Sequence, residues 1–226
     1  MPFHIKPLKD QARQHFPFNN SLPAPIEGGF RLGVFAASGG GKSVLVLNLL
    51  KEYRKYFKKV IVWSFNLRQY KRHFGRLMTK HDILYTEYKE PDLRHHFQKA
   101  VARNVKRPKR ITPVLMIFDD MLSVISKSPY FMEIMLTARK ENVSIIFTAH
   151  KYTFAPPIIR QNLTHTILMT TNRIELRTLA AYLGFEGDDL IKAWHDSGAE
   201  KKFAFLYFTH DPASAYFKFT DKKLLG

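Results

Sequence analysis

A glycine-rich octet, Ala36–Ser43, leaves this chain few choices of fold because it stands between two short apolar runs of different period. The run that leads into it, Arg31–Ala36, is β-prone, and the run that follows, Val44–Leu50, has a helical pattern. The octet holds three consecutive glycines, which let backbone N–H groups turn inward around phosphate oxygens at a helix N-terminus. A loop of this composition between a strand and a helix predicts a P-loop.

Short apolar runs and helical segments alternate along the rest of the chain. Strands are expected at Arg31–Ala36, Val60–Ser64, Val114–Phe118, Val143–Thr148 and His165–Thr170. Helices are expected at Lys42–Phe57, Pro91–Asn104, Pro129–Lys140 and Asn172–Leu183. This alternation predicts an α/β fold, in which helices cover both faces of a mainly parallel central sheet. Near the end, Lys202–Phe208 and Ser214–Phe219 predict a β-hairpin appended to the core.

The first 29 residues differ in composition from the rest of the chain. Residues 1–29 are rich in proline and polar residues, which favours an extended N-terminal arm ahead of a P-loop domain over residues 30–226. The chain has no cysteine, which excludes disulfides, thiolate metal sites and cysteine nucleophiles. No apolar run approaches the roughly 18–20 residues that cross a bilayer, and no signal peptide is evident, so we expect a soluble intracellular protein without a transmembrane segment.

The charge balance is strongly positive: 36 Lys and Arg residues against 19 Asp and Glu residues give a formal net charge of +17. A field of this sign attracts polyanions, and nucleic acid is the first of these to consider. The alternative is a generic basic protein whose charge serves solubility.

The P-loop assigns the first site residues. Lys42 is expected to reach the β- and γ-phosphates of ATP, and Ser43 to ligate Mg²⁺. The phosphates are expected to bind the loop residues Ser38, Gly39, Gly40 and Gly41. Ala36 stands where the usual pattern has its first glycine, and a small residue is tolerated there if its backbone conformation is an ordinary β one.

A second element of the site follows about seventy residues after the P-loop, where the apolar run Val114–Phe118 ends in the two acidic residues Asp119 and Asp120. This pattern predicts a Walker B strand. Asp119 would hold the Mg²⁺ shell, and Asp120 would orient or deprotonate the attacking water. Most translocating ATPases carry glutamate at the second position, and the alternative for Asp120 is that it caps the turn into the next segment.

His150 follows the strand expected at Val143–Thr148, which places it at the carboxyl edge of a parallel sheet, where ligands bind. It is expected either to sense the γ-phosphate or to serve as an ordinary surface or capping residue. His95 and His96 are adjacent in a helical segment, where neighbours point in different directions, so a metal site is not expected there.

Four later segments carry a family resemblance: Asp119–Leu122, Thr137–Ser144, Phe147–Tyr152 and Pro156–Asn162. Together with the P-loop they resemble the HerA/FtsK superfamily, specifically its viral genome-packaging ATPases of the poxvirus and PRD type. The resemblance covers roughly residues 30–170. His150 stands where that family usually has glutamine.

The resemblance implies a RecA-like fold and ATP-driven movement of double-stranded DNA into a preformed capsid. It also implies a homo-oligomeric ring, a hexamer or pentamer, in which an arginine of one subunit completes the site of the next. Arg139 and Arg160 match such positions, and Arg160 is the preferred one. The partners implied are double-stranded DNA and a capsid or portal-vertex protein, in the host-cell cytoplasm or at the virion vertex.

A basic segment, Arg103–Arg110, lies between the helix expected at Pro91–Asn104 and the Walker B strand. Such a segment could follow a phosphate backbone, at the sheet edge away from ATP. The residues expected to bind DNA are Lys106, Arg107, Lys109 and Arg110. The alternatives are a solvated loop and a nuclear-localisation signal.

Other classes of protein fit the sequence less well. A regulatory GTPase would need an Asn-Lys-x-Asp element, which Thr171–Glu175 does not supply. A small-molecule kinase would need no charge of +17. A non-enzymatic nucleic-acid-binding protein would not need Lys42, Ser43 and Asp119 intact. Within the motor class, the alternative is a cellular DNA-pumping or filamentous-phage assembly ATPase.

Overall fold

The computed structural model of the chain describes residues 3–5, 16–18, 29–106, 112–169, 171–199, 201, 203–210, 213–217 and 223–225. Its strands are β1 Phe3–Ile5, β2 Phe16–Phe18, β3 Arg31–Phe35, β4 Lys59–Ser64, β5 Ile83–Tyr85, β6 Val114–Asp119, β7 Val143–Ala149, β8 His165–Leu168, β9 Leu206–His210, β10 Ala213–Phe217 and β11 Lys223–Leu225. Its α-helices are α1 Lys42–Tyr53, α2 Leu67–Phe74, α3 Glu90–Lys106, α4 Leu122–Ile125, α5 Pro129–Thr137, α6 Pro157–Gln161, α7 Arg173–Leu183 and α8 Gly187–Ser197.

Nine of these strands form one sheet, in the order β11-β10-β9-β8-β3-β7-β6-β4-β5. β3 pairs in parallel with β8, and β7, β6, β4 and β5 pair in parallel with one another in that order. Every residue of β6 and β7 is buried, as continuous apolar runs covered by helices on both faces require. The α/β class with a mainly parallel sheet is therefore confirmed.

The C-terminal hairpin forms, but it is not merely appended to the core. β9 and β10 pair antiparallel, and β9 also pairs antiparallel with β8, from His165↔Thr209 to Leu168↔Leu206. The hairpin thus continues the central sheet and covers the edge of β8, whose backbone N–H and C=O groups would otherwise lack partners.

The chain divides into two compact units. The first unit comprises Met1–Leu22, Leu32–Leu45 and Ala149–Gly226, and the second comprises Pro23–Arg31 and Val46–Thr148. In the core of the second unit, the ring of Trp63 is stacked on that of Phe118, with centroids 4.7 Å apart. In the core of the first, the Tyr207 ring stacks on His165 and Phe35 packs edge-on against Tyr152.

At the N-terminus, β1 and β2 form a separate antiparallel pair, with Phe3 opposite Phe18. The rest of the expected arm, up to residue 28, lies outside the described residues, so a boundary at residue 29 stays a prediction. Among the residues that the structure describes, no helix combines the length and apolar character needed to span a bilayer.

Candidate functional site

The P-loop belongs to the first unit and has the predicted strand–loop–helix setting. β3 ends at Phe35, and α1 begins at Lys42. Gly39 and Gly41 have φ angles of 72° and 94°, which favour glycine strongly. A Cβ at Gly41 would also meet the Phe203 ring at 3.0 Å. Because the backbone needs these two glycines, the loop composition follows from its shape.

Ala36 is fully buried and is not among the described residues that have a positive φ. Its backbone N–H donates to the carbonyl of Ala149 at 3.1 Å, as a continuing strand residue would. The departure from glycine at this position therefore carries no backbone strain, as expected for a small residue there.

Lys42 is 5% exposed, and its ammonium group lies close to two backbone carbonyl oxygens and one histidine nitrogen. Nζ donates to the carbonyl oxygens of Ala36 and Ala37, at 2.9 and 3.4 Å. It lies 3.5 Å from Nδ1 of His150, which follows the last residue of β7. The structure thus brings together Lys42 and His150, which are 108 residues apart in the sequence.

Ser43 is the second residue of α1 and is half-buried. The N-terminus of α1 carries backbone N–H groups and the positive end of the helix dipole, and these favour an anion. Lys42, Ser43 and the loop amides therefore provide the usual components of a phosphate cradle.

The acidic pair belongs to the second unit and lies at the end of β6. Asp119 is the last residue of β6 and is 4% exposed. The hydroxyl of Thr148 donates to Oδ1 of Asp119 at 2.8 Å. The same hydroxyl accepts the backbone N–H of Asp120, also at 2.8 Å. One buried side chain thus fixes both acids.

Asp120 is exposed and has a φ of 56°, in the left-handed region. Non-glycine residues are uncommon there, although aspartate tolerates the region better than most. This conformation turns the chain sharply after the buried Asp119 and brings the Asp120 carboxylate to the surface.

Tyr70, on α2, is fully buried near Asp119. The pKa of its hydroxyl is raised well above the ordinary value, first by burial and then by the negative charge of Asp119. Tyr70 therefore stays neutral and can stand beside the carboxylate without repelling it.

The two candidate arginines lie in different settings. The guanidinium of Arg160 is half-buried and stacks on the rings of Tyr182 and Tyr152, at 4.8 and 5.5 Å from their centroids. Arg139 is exposed in the turn that precedes β7. The start of β7 at Val143, just after this turn, lies about 17 Å along the strand from Thr148. A role for either arginine in a neighbouring subunit stays a prediction.

A small cavity of about 210 Å³ adjoins His150 in the first unit. It is lined by Phe35, Ala37, His150, Lys151, Tyr152, Thr171, Asn172 and Glu175. Glu175 is buried and accepts hydrogen bonds from the backbone N–H and the hydroxyl of Thr153, at 3.0 and 2.6 Å. This carboxylate fixes the segment that follows His150 to the start of α7.

Lys106 is the last residue of α3 and is exposed. Arg107, Lys109 and Arg110 lie outside the described residues, so their role in binding DNA stays a prediction. The rings of His95 and His96 are 5.2 Å apart, and no group of three or more His, Asp or Glu side chains that could hold a metal ion is found in the described part of the chain.

Three contributors were not predicted from the sequence: Thr148, Tyr70 and Glu175. Thr148 gave the best signal, because it is a polar residue near the end of the apolar run Val143–Thr148. Buried polar side chains need hydrogen-bond partners, so a threonine in that place indicates a polar neighbour on the adjacent strand. Tyr70 and Glu175 lie in helical segments and gave no such signal.

Comparison with known proteins places this geometry in a family. The sequence profile of the family described as "Poxvirus A32 protein" matches residues 15–194. The chain is 26% identical over 160 residues to the DNA packaging protein OPG160 of Vaccinia virus (strain Copenhagen), covering 67% of this chain and 56% of that protein. It is also 26% identical over 144 residues to OPG160 of Variola virus, covering 60% of this chain and 51% of that protein. The chain thus spans about half the length of these curated relatives.

Solved structures share the fold. The genome packaging NTPase B204 from Sulfolobus turreted icosahedral virus 2, in complex with AMP, matches with a TM-score of 0.62 and 16% identity, over 85% of this chain and 97% of that one. EssC (ATPases 2 and 3) from Geobacillus thermodenitrificans matches with a TM-score of 0.60 and 14% identity, over 96% of this chain and 44% of that one. At these identities the likeness shows a common fold. The profile match over residues 15–194 confirms the resemblance to the poxvirus family.

Proposed function

The chain belongs to the poxvirus A32 protein family, and from that premise we propose that it is a Mg²⁺-dependent ATPase that moves double-stranded DNA into a viral capsid. The match to the family profile over residues 15–194, which includes the P-loop and the acidic pair, carries this proposal. The function named for the relatives, DNA packaging, indicates the work that hydrolysis would drive. EssC shares the fold alone, so it supports no second function.

Each side chain of the site receives a role under this proposal. The loop amides of Ser38–Gly41 bind the phosphates of ATP, and Lys42 neutralises charge on the β- and γ-phosphates. His150 lies 3.5 Å from the Lys42 ammonium, which suits a sensor of the γ-phosphate. Asp120, exposed and fixed through its backbone to Thr148, orients or deprotonates the attacking water.

The donor set fits Mg²⁺. The ion prefers hard oxygen ligands, and the hydroxyl of Ser43 and the carboxylate of Asp119 supply them. The hydrogen bond from Thr148 orients the Asp119 carboxylate, as partners of metal ligands commonly do. When bound, Mg²⁺ would neutralise charge on the phosphates as the γ-phosphoryl group is transferred to water.

The proposal extends to assembly. The motor would be a homo-oligomeric ring, a hexamer or pentamer, that docks on a capsid or portal-vertex protein. In such a ring, Arg160 or Arg139 of one subunit would stabilise charge in the active site of the next.

Duplex-stimulated hydrolysis is the decisive test. We expect the purified protein to hydrolyse ATP with Mg²⁺ and to do so faster when double-stranded DNA is added. Lys42→Ala should abolish hydrolysis with and without DNA, because the γ-phosphate loses its principal cation. Phosphate release would be measured for both proteins across a range of duplex concentrations. Hydrolysis by Lys42→Ala within a few-fold of the wild-type rate would overturn the assignment of the ATP site. A wild-type rate that does not change when duplex DNA is added would overturn the proposed motor function.

A further inference from the structure

A broad basic cleft of about 900 Å³ lies in the second unit, away from the acidic pair. It is lined by Lys55, Tyr56, Phe57, Lys58, Lys59, His81, Lys99, Ala102, Arg103, Lys106, Thr112 and Pro113. Three structural pieces meet there: the 3₁₀ turn Arg54–Tyr56 that follows α1, the start of β4 and the C-terminal half of α3. Its lining has six Lys and Arg side chains and no acidic residue.

Within the described part of the chain, none of the six forms an ion pair. Arg54, close by in sequence, shows the contrast, since it pairs with Asp82 at 2.9 Å and also bonds to the Leu77 carbonyl. Arg54 is thus paired with a carboxylate, whereas no ion pair is found for the six cations of the cleft among the described residues.

Positive charges lie close together in the cleft. Lys59 is half-buried, and its pKa is lowered first by burial and then by the positive charges of Lys99 and Arg103, which outweigh the opposing effect of Asp82. Holding cations this close raises the free energy of the folded chain, and an anion in the cleft would lower it. The arrangement therefore favours a ligand with several negative charges.

The spacing along α3 matches a phosphate backbone. Lys99, Arg103 and Lys106 follow one another at intervals of four and three residues, so they lie on one face of the helix. At 1.5 Å per residue they span about 10 Å. The phosphates of one strand of duplex DNA advance by about 3.4 Å per nucleotide along the helix axis, so the three cations span about three phosphates.

We propose that this cleft binds the phosphate backbone of double-stranded DNA, the substrate that the proposed function assigns to the motor. The cleft includes Arg103 and Lys106, which belong to the basic segment Arg103–Arg110 identified from the sequence, and adds Lys55, Lys58, Lys59 and Lys99. Thr112 and Pro113 line it just before β6, whereas Asp119 ends that strand. The six residues of β6 separate the two by about 20 Å, so the duplex is bound apart from the acidic pair.

A triple variant tests the proposal: Lys99→Gln, Arg103→Gln and Lys106→Gln, which keeps good helix formers at three exposed positions. Removing the cation from one bound phosphate lowers the log–log salt slope of duplex affinity by roughly 0.9. Removing three cations lowers the slope by about 2.7, so between 50 and 200 mM salt the wild-type affinity should fall about 40-fold more than that of the variant. The matched control is Lys71→Gln, Lys127→Gln and Lys192→Gln, exposed cations outside the cleft, which should keep the wild-type slope.

The outcomes separate this proposal from the proposed function. Binding is measured without ATP, and basal hydrolysis of each variant is measured separately. A lowered slope in the cleft variant alone supports the cleft, even if no hydrolysis is found. An unchanged slope, an equal change in both variants, or no duplex binding by wild type overturns it, even if duplex stimulates hydrolysis. Displacement of duplex by polyglutamate at equal charge concentration also overturns it, because the cleft would then be a site for acidic protein.

Discussion

At the scale of single residues, Thr148 is the side chain on which the acidic pair depends. Its buried hydroxyl donates to Asp119 and accepts from the backbone N–H of Asp120, so its hydrogen-bonding capacity is used on both sides. The side chain therefore fixes the carboxylate proposed for Mg²⁺ and the conformation of the residue proposed as base.

Thr148→Val keeps the shape of the side chain and removes both hydrogen bonds. We expect the free energy of unfolding to fall by roughly 1–3 kcal/mol, because buried polar groups are left without partners. The Mg²⁺ concentration for half-maximal hydrolysis should rise. Urea unfolding and Mg²⁺ titration of phosphate release measure the two effects, and Thr148→Ser, which keeps the hydroxyl, should lie close to wild type in the second. If Thr148→Val equals wild type in both urea unfolding and Mg²⁺ dependence, Thr148 does not support the acidic pair as proposed.

Asp120 gives a second prediction, because its φ of 56° limits which substitutions are informative. Asparagine tolerates the left-handed region, so Asp120→Asn should keep the fold and nucleotide binding. If Asp120 is the general base, turnover should drop by about 10²- to 10⁴-fold. Asp120→Gly relieves any strain and should lose turnover equally. Loss of nucleotide binding in Asp120→Asn would assign the carboxylate to the Mg²⁺ shell instead.

Sequence patterns predicted the structural settings of the candidate residues well where those settings depend on neighbours along the chain. Gly39–Ser43 and the pair Asp119–Asp120 are local patterns, and the structure gives them the expected settings. Thr148 acts across 29 residues, and Lys42 meets His150 across 108. Such interactions depend on strand order, which periodicity does not provide, so Thr148 was missed and the partner of His150 was unknown.

At the scale of elements, the same distinction holds. β4, β6 and β7 were predicted to within one residue at each end, because buried parallel strands are continuous apolar runs. α1 was predicted to reach Phe57, yet it ends at Tyr53 and tightens into a 3₁₀ turn over Arg54–Tyr56. The carbonyls of Leu77 and Phe57 bind the Arg54 side chain there, a tertiary interaction that overrides helical propensity.

Short elements gave the weakest signals. β5 has three residues, Ile83–Tyr85, and all three are only half-buried. It is held by parallel pairing with β4 and by the stacking of Tyr85 on Trp63, at 5.3 Å between centroids. Neither interaction could be predicted from three residues of sequence.

β4, β5 and α3 meet at His96, which gives a prediction on pH. Burial, followed by the charge of Lys59, lowers the pKa of His96 from 6.5 to about 4. Nδ1 accepts from the Lys59 ammonium at 3.2 Å, and Nε2 is 2.8 Å from the Tyr85 hydroxyl, so the neutral imidazole is the bound form. The charged and titratable groups that face it are Lys59 from β4, Tyr85 from β5, and Asp92, His95 and Lys99 from α3 itself.

The sign of the effect follows from proton binding. Below pH 6.5 the unfolded chain takes up a proton at this histidine that the folded chain does not accept until about pH 4. The stability of the fold should therefore decrease as pH falls from about 6.5 to about 4. His96→Gln can keep both hydrogen bonds without titrating, so its urea midpoint should vary less over this range. His195→Gln, an exposed control, should follow wild type. Parallel curves for wild type and His96→Gln would contradict the assignment.

At the scale of the whole molecule, the proposed ring requires each site to be completed by its neighbour. Arg160 packs on Tyr152 and Tyr182 in its own chain, which holds the guanidinium in a defined place. A cation–π interaction of this kind leaves the planar edge of the group able to donate hydrogen bonds. Arg160 is thus suited to act on a bound phosphate from a fixed position.

Arg160→Ala should leave ATP affinity nearly intact and lower turnover by about tenfold or more, because the arginine acts on charge that develops in the transition state of another subunit. Lys42→Ala has the opposite defect, because it cannot hydrolyse ATP in its own site but can still supply Arg160 to a neighbouring subunit. In a mixed ring, some Arg160→Ala subunits would receive Arg160 from a Lys42→Ala neighbour, and hydrolysis should be partly restored. Phosphate release would be followed across mixing ratios, with Arg139→Ala as the matched arginine variant. If Arg160→Ala lowers thermal stability without any complementation while Arg139→Ala complements, Arg160 is a packing residue and Arg139 is the one that acts in trans.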